Sequence, residues 1–182
     1  DESKKLDIQL SSQDGWAMIY DSSLDNININ FSTNFKKKDH LTQSNSRINS
    51  RGLSGCLSIY NSNFNETVIT ANNSSHRCED TVNIVNSNGT ITSMEVNGSF
   101  ADALDIDFSN IYINLLTISK AENDCVDFSK GHYSLDTVFL TNCGDKAISI
   151  GEQSEFSANL VNIERSKIGF ASKDSSISSI NQ

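Results

Sequence analysis

The apolar positions of this chain do not follow a helical period. From about residue 55 onward they alternate with polar ones in short runs, and one set recurs at a fixed interval. Val82, Leu104, Val126, Ile148 and Phe170 are spaced 22 apart, four times in a row. Around them align 55-GCLSIYNS-62, 80-DTVNIVNS-87, 102-DALDIDFS-109, 124-DCVDFSKG-131 and 146-KAISIGEQS-154, followed by 168-IGFASKDSS-176. Each unit carries a second alternation, as in Ile91, Met94 and Val96, in Ile111, Ile113, Leu115 and Ile118, or in Val138 and Leu140. Apolar and polar residues in alternation mark half-buried strands, so each repeat holds at least two of them. The preceding interval, Leu57 to Val82, is 25, and its surplus falls in the polar stretch Asn72 to His76, where a loop absorbs it.

A unit of this length, with two or three short strands and turns rich in Asn, Gly and Ser, is one coil of a parallel β-helix. A leucine-rich repeat, the competing solenoid, needs a fixed Leu frame and a helical or 3₁₀ return segment, whereas these core columns mix Val, Leu, Ile and Phe. The predicted fold class is therefore all-β: a single-domain right-handed parallel β-helix of seven or eight coils, about 22 residues each. Residues 55–182 read as regular coils and residues 1–54 as irregular N-terminal coils or a cap. In that first part, 16-WAMIY-20 and 24-LDNININF-31 alternate like strands, 35-FKKKDH-40 reads as a basic solvated excursion, and 47-RINSRGLSG-55 leads into the first clear coil. Equivalent positions in stacked coils lie about 4.8 Å apart. Ser62, Ser87, Ser109, Ser154 and Ser176 are thus expected to form a turn ladder, with Gly131 its exception.

Composition fits the ladder: Ser and Asn supply 30 and 22 of the 182 residues, and proline, which would remove a ladder donor, is absent. The net charge of −9 argues against nucleic acid as the main partner. No apolar run approaches the roughly 20 residues of a membrane span. The start at Asp1, with no signal-peptide pattern, reads as a mature or excised fragment. Cys56, Cys78, Cys125 and Cys143 show no CxxC pair, so buried thiols or at most a bridge are expected rather than zinc. His40, His76 and His132 are scattered in polar loops and suggest no metal triad. Trp16 and Tyr20 read as cap and core rather than as a sugar-stacking platform, and the sequons at Asn65, Asn88 and Asn97 arise from composition.

The candidate chemistry lies in charged columns. In 102-DALDID-107, Leu104 and Ile106 point inward, so Asp105 and Asp107 point outward. Reading down the stack gives a column of Asn83, Asp105, Asp127 and Ser149, and a turn column of Asp80, Asp102, Asp124 and Lys146. Glu79, Asn123, Asp145 and Lys167 form a third. Stacked carboxylates repel, and three arrangements relieve that. One carboxyl is protonated and acts as a general acid beside an ionised partner, a hard cation such as Ca²⁺ binds the oxygens, or each Asp accepts backbone N–H bonds as a structural cap.

The segments 102-DALDID-107, 123-NDCVDF-128, 145-DKAISIGE-152 and 169-GFASK-173 resemble, coil by coil, the pectin-lyase-like superfamily, including the polygalacturonase pattern NTDGIDI, DDCVAI, GHGISIGS and GVRIK. On that resemblance Asp102 and Asp124 match two catalytic carboxylates and Lys173 the Lys of the last motif. Asn123, Lys146 and Ala171 stand where the pattern has a carboxylate, a His and an Arg. The chain is also similar to bacterial right-handed β-helix repeat proteins with segments resembling EDALNI, DAFDSDFS, DAIDFSGS, DKAISVGE and GIASKDSS. The resemblance implies catalytic roles for Asp102, Asp124, Lys146 and Lys173, the lysines as lyase or epimerase bases, and Ca²⁺ on Asp105, Asp107 and Asp127.

Asp105, Asp127, Lys130 and Glu152 are the expected substrate contacts. The expected function is an extracellular or cell-surface domain that binds or processes a carbohydrate polymer, as a uronate-type lyase, epimerase or hydrolase. The alternative is a non-catalytic adhesin, phage-fibre or filament module stacking end to end through an open coil edge.

Overall fold

The computed structural model describes residues 3–12, 15–34, 48, 52–74 and 77–181. His40, His76, the excursion 35-FKKKDH-40 and most of 47–51 lie outside the described residues. The chain is a parallel β-helix of about 7 turns. Its strands are β1 (Lys4–Leu10), β2 (Ala17–Tyr20), β3 (Ser23–Asp25), β4 (Ile27–Thr33), β5 (Gly55–Tyr60), β6 (Asn63–Asn73), β7 (Asp80–Val85), β8 (Asn88–Asn97), β9 (Asp102–Asp107), β10 (Asn110–Ala121), β11 (Val126–Ser129), β12 (His132–Gly151), β13 (Glu155–Ser172) and β14 (Ile177–Ile180). One face of the solenoid runs β2-β5-β7-β9-β11 into the end of β12, and the rest runs β1-β4-β6-β8-β10 into its beginning, with every pairing among these parallel.

The column read from the sequence is the column in the structure: Leu57, Val82, Leu104, Val126, Ile148 and Phe170 are successive register partners. Ile59, Ile84, Ile106, Phe128 and Ile150 form the next inward column, and all five are fully buried. The three surplus residues of the 25-residue interval fall between Asn73 and Asp80, because Asn72 still pairs with Asn97 before them. Residues before 55 stack in register too. Leu6 pairs with Ile29, and Ala17 with Leu57 across an interval of 40 that the segment between Thr33 and Gly55 lengthens.

Each coil turns at left-handed backbone positions. Asp21, Asn61, Asn86, Phe108, Lys130, Glu152 and Asp174 all have φ between 46 and 64 and follow the first-face strand in successive coils. Gly98, Lys120, Asn142 and Arg165 mark a second corner. In β10 the inward phase shifts between Ile113 and Leu116, leaving Asn114 and Leu115 both outside. That shift bends one long strand into two faces, which is why Leu115, expected inward, is exposed.

The serine ladder forms, and its gap is filled. The Ser22, Ser62 and Ser87 amides donate to the hydroxyls of Ser62, Ser87 and Ser109 at 3.2, 3.1 and 3.0 Å. Each hydroxyl in turn donates to the carbonyl two residues before it. At Gly131 there is no hydroxyl, and a Cβ there would lie 2.1 Å from the Ser109 carbonyl oxygen. The Tyr133 hydroxyl takes the missing position, donating to Ser129 at 2.7 Å, the carbonyl that a serine at 131 would serve. It also accepts the Ser109 amide. Its ring stacks on Phe128, centroids 4.7 Å apart.

The cysteines correct the expectation of thiols or at most one bridge: they form two, Cys56–Cys78 and Cys125–Cys143. Cys56 and Cys125 share one inward column with Thr81, Ala103 and Ala147, and each bridge ties that column to the corner leading into the next coil. Sequence does not show that the corners coincide, so the pairing was hidden. Two disulfides point to folding in an oxidising, non-cytoplasmic compartment. No helix among the described residues is long and apolar enough to cross a membrane.

Closing an 18-residue loop, the Cys125–Cys143 bridge is worth about 3 kcal/mol. The double variant Cys125→Ser/Cys143→Ser should lose that much in denaturant unfolding; an unchanged midpoint would remove the bridge from the stability account. Tyr133→Phe leaves the Ser109 amide and the Ser129 carbonyl without their shared hydroxyl. It should cost about 2 kcal/mol, measured in the same assay, and a neutral effect would show that Tyr133 does not stand in for the ladder serine.

Candidate functional site

The charged columns lie on and beside the outer side of the first face, and their members are satisfied in different ways. In the turn column, Asp102 Oδ1 accepts the backbone N–H of Asp124 at 2.8 Å and the Asn123 amide at 2.7 Å. Asp124, fully buried, accepts the backbone N–H of Lys146 at 2.9 Å. Each carboxylate thus caps the start of the next coil. Asp80 is different: it is buried, its Oδ2 has no hydrogen bond among the described residues, and burial followed by the charges of Asp102, Glu79 and Asp107 pushes its pKa up to about 8, against a bond from Ser54.

Lys146 ends the turn column as a clamp. Its Nζ meets Asp124 Oδ2 at 3.1 Å and Asp145 Oδ2 at 2.9 Å. The bond to Asp145, with that to Asp124, raises its pKa although partial burial opposes this. An ammonium held between two carboxylates is the reverse of the lowered pKa that a lysine base requires. Lys173 lies one coil further on. A Cβ at Gly151 would come within 2.9 Å of its Cε, so its stem lies across that backbone, and its charge lowers the pKa of Asp127 against the larger effect of burial.

The next row is Asn83, Asp105, Asp127 and Ser149, in register across four coils. Alternation placed these side chains outward correctly, but not in solvent. Asp105, Asp107 and Asp127 are half-buried, and Asn83 and Ser149 are fully buried.

At the centre, Asn83 Nδ2 donates to Asp105 Oδ2 and to Asp107 Oδ2, both at 3.3 Å. One amide therefore holds two carboxyl groups whose oxygens lie no further apart than twice that distance. Burial, then Asp107, Asp80, Asp127 and Asp102, push the Asp105 pKa up to about 9. Burial also raises Asp107, against the hydrogen bond from Asn83. Like charges held by one amide disfavour double ionisation, which adds to burial in raising both carboxyl pKa values.

The resemblance implied Ca²⁺ on Asp105, Asp107 and Asp127. Asp127 Oδ1 and Ser149 Oγ are buried and make no hydrogen bond among the described residues, which leaves oxygen lone pairs available. Yet an amide N–H₂ fills the gap between Asp105 and Asp107, and among the described residues no three His, Cys, Asp or Glu side chains are placed to hold a metal ion.

Lys130 and Glu152 are exposed in the corner column, with Lys130 Nζ 5.9 Å from the centroid of the Phe108 ring. Glu152 adds to the charges that raise Asp107. The structure thus groups Asp105, Asp107 and Asp127 with Lys173 and Glu152 around one row, and assigns Asp102, Asp124 and Lys146 to capping. Sequence reasoning named Asn83 as a column member but not as the bridge. It passed over Phe108, which no spacing marks. Models of known protein families give no match to this chain, and neither do the curated proteins.

An unfolded Asp titrates near 3.9, whereas folded Asp105 holds its proton to about pH 9. The folded state therefore binds more protons across that window. This contribution to stability is complete below the unfolded pKa and is lost as pH rises toward about 9. The thermal midpoint should fall as pH is raised from about 5 to about 9, and Asp105→Asn should flatten the slope. A wild-type midpoint that climbs over this range would show that the pair is ionised.

Proposed function

We propose that this chain is an extracellular β-helix domain that binds a carbohydrate polymer across its stacked coils and cleaves it by proton transfer at Asp105 and Asp107. The observation that carries this reading is the Asn83-bridged carboxyl pair, in which burial raises both pKa values. Two carboxyls whose environments favour a proton on one beside an ionisable neighbour can supply the acid and the base that glycoside hydrolysis uses. Asp105 protonates the departing glycosidic oxygen. Asp107, stabilised as the anion by Asn83, serves the sugar carbon either directly or through water. Lys173 and Glu152 border the row and suit hydroxyl contacts. The two disulfides support an extracellular setting.

Hydrolysis is favoured over lyase or epimerase chemistry because Lys146, one of the two lysines expected as a base, is held as an ammonium. A second reading, a non-catalytic adhesive or filament module, has one observation in its favour: Asp102 and Asp124 act as caps to the following coil, as architecture alone requires.

The test is incubation of the protein with neutral and uronate polysaccharides, with and without Ca²⁺, reading new reducing ends and the ultraviolet absorbance of unsaturated products. We expect reducing ends without unsaturation, and a loss of at least 100-fold in Asp105→Asn or Asp107→Asn, within the usual range for acid–base catalysis. Binding without turnover selects the module reading. Unsaturated products that require Ca²⁺ would replace hydrolysis by elimination.

A further inference from the structure

We propose that Phe108, Tyr60 and Tyr20 form a stacking track for an uncharged polysaccharide, holding the sugar chain along the solenoid axis beside Asp105 and Asp107. The inference rests on the carbohydrate reading above and adds the direction, extent and charge class of the ligand.

The first observation is a break in a ladder. The left-handed corner that follows each first-face strand holds Asp21, Asn61 and Asn86 in successive coils, then Phe108. Asn and Asp tolerate this conformation, and here they also bond along the stack. Asn61 donates to Asp21, and Asn86 Nδ2 donates to Asn61 Oδ1 at 3.1 Å. Phe108 ends that ladder at φ 51 with 53% of its surface exposed. A bulky residue in the left-handed region is an outlier, and such residues cluster at binding sites. The corner continues as Lys130, Glu152 and Asp174, so Phe108 is its one large apolar member, and burial does not explain it. Lys130 Nζ lies 5.9 Å from its ring centroid, and Phe108 directly follows Asp107 in the chain.

The second observation is register. Tyr20 pairs with Tyr60, Tyr60 with Val85, and Val85 with Asp107. The two tyrosines therefore occupy the column of Asp107 itself, two and three coils before it. Successive coils are about 4.8 Å apart, so the column is straight and evenly stepped along the axis. Tyr20 is 56% exposed and Tyr60 36%, which overturns the reading of Tyr20 as core, although Trp16 does pack against the core. Flat, half-wet rings on a surface otherwise built from Asn, Ser and Asp offer an apolar face to the C–H side of a pyranose and a hydroxyl to its rim.

Charge gives the class. Asp105, Asp107, Asp127 and Glu152 border the track, against Lys130 and Lys173, while Lys146 is held by Asp124 and Asp145. A polyanion laid along this column would meet more carboxyl groups than ammonium groups. The uronate polymers expected from the sequence fit this field poorly, and a neutral glycan fits it.

The experiment is affinity electrophoresis through gels containing xylan, glucomannan, mixed-linkage β-glucan or polygalacturonate. It compares the wild type with Phe108→Asn, Tyr60→Ala and Tyr112→Ala, the last an exposed ring on β10, away from the track. Phe108→Asn installs the residue the corner already carries at Asn61 and Asn86, so its thermal midpoint should hold or rise, and a loss of binding is not a loss of fold. We expect retardation by at least one neutral polymer and none by polygalacturonate, weakened roughly tenfold in Phe108→Asn and in Tyr60→Ala but retained in Tyr112→Ala. Retardation by a neutral polymer that both track variants keep overturns the track and leaves the carbohydrate reading standing. Retardation by polygalacturonate alone overturns the charge class. No retardation by any polymer overturns both the track and the reading beneath it.

Discussion

Every coil must offer its neighbours a complete row of backbone donors and acceptors at the same height, and the rest of this molecule depends on that demand. A parallel β-helix has no long-range tertiary contact to correct a misplaced residue, because each coil touches only the ones above and below. The 22-residue spacing of Val82, Leu104, Val126, Ile148 and Phe170 is the demand expressed in sequence. The absence of proline follows from it, as do the left-handed corners that recur from coil to coil. The interval departs from 22 at few places: 40 from Ala17 to Leu57, 25 from Leu57 to Val82 and 23 from His132 to Glu155.

Stacking sets a second condition on polar residues. Whatever stands at one position has its counterpart about 4.8 Å away in the next coil. For serine and asparagine this is an advantage, since each is both donor and acceptor. For aspartate it is a conflict, and adjacent columns resolve it differently. The turn column resolves it with hydrogen bonds: Asp102 and Asp124 receive amides from the coil that follows, and Lys146 closes the series. The row beside it has no such donors beyond Asn83, and there burial and a retained proton do the same task. Repulsion that is capped gives architecture, whereas repulsion relieved by a proton leaves a group able to give that proton away.

This division also explains what could be read from the sequence. Alternation and period are properties of a single chain, so the inward columns, the serine ladder and the outward direction of Asp105 and Asp127 were all visible. Exposure was not, because it depends on the height of neighbouring columns: Ser149 points outward and is nonetheless fully buried. The disulfides were hidden for a related reason, since Cys125 and Cys143 meet only because two corners coincide. The bridging role of Asn83 needs two acceptors on another strand, and the φ of Phe108 has no signature in residue type.

Two positions break their columns, and the difference between them bears on function. Gly131 interrupts the serines, and the fold supplies a replacement: the Tyr133 hydroxyl reaches the same carbonyl that a serine would. The interruption costs the ladder nothing, and no ligand is needed to explain it. Phe108 ends the asparagine ladder, and the corner continues as Lys130, Glu152 and Asp174. Of these corner residues it is the one large apolar side chain; it stays outside the core, with Lys130 Nζ 5.9 Å from its ring centroid. A ring left outside the stack is available to a ligand, and the half-buried carboxyl pair ends one residue before it in the chain.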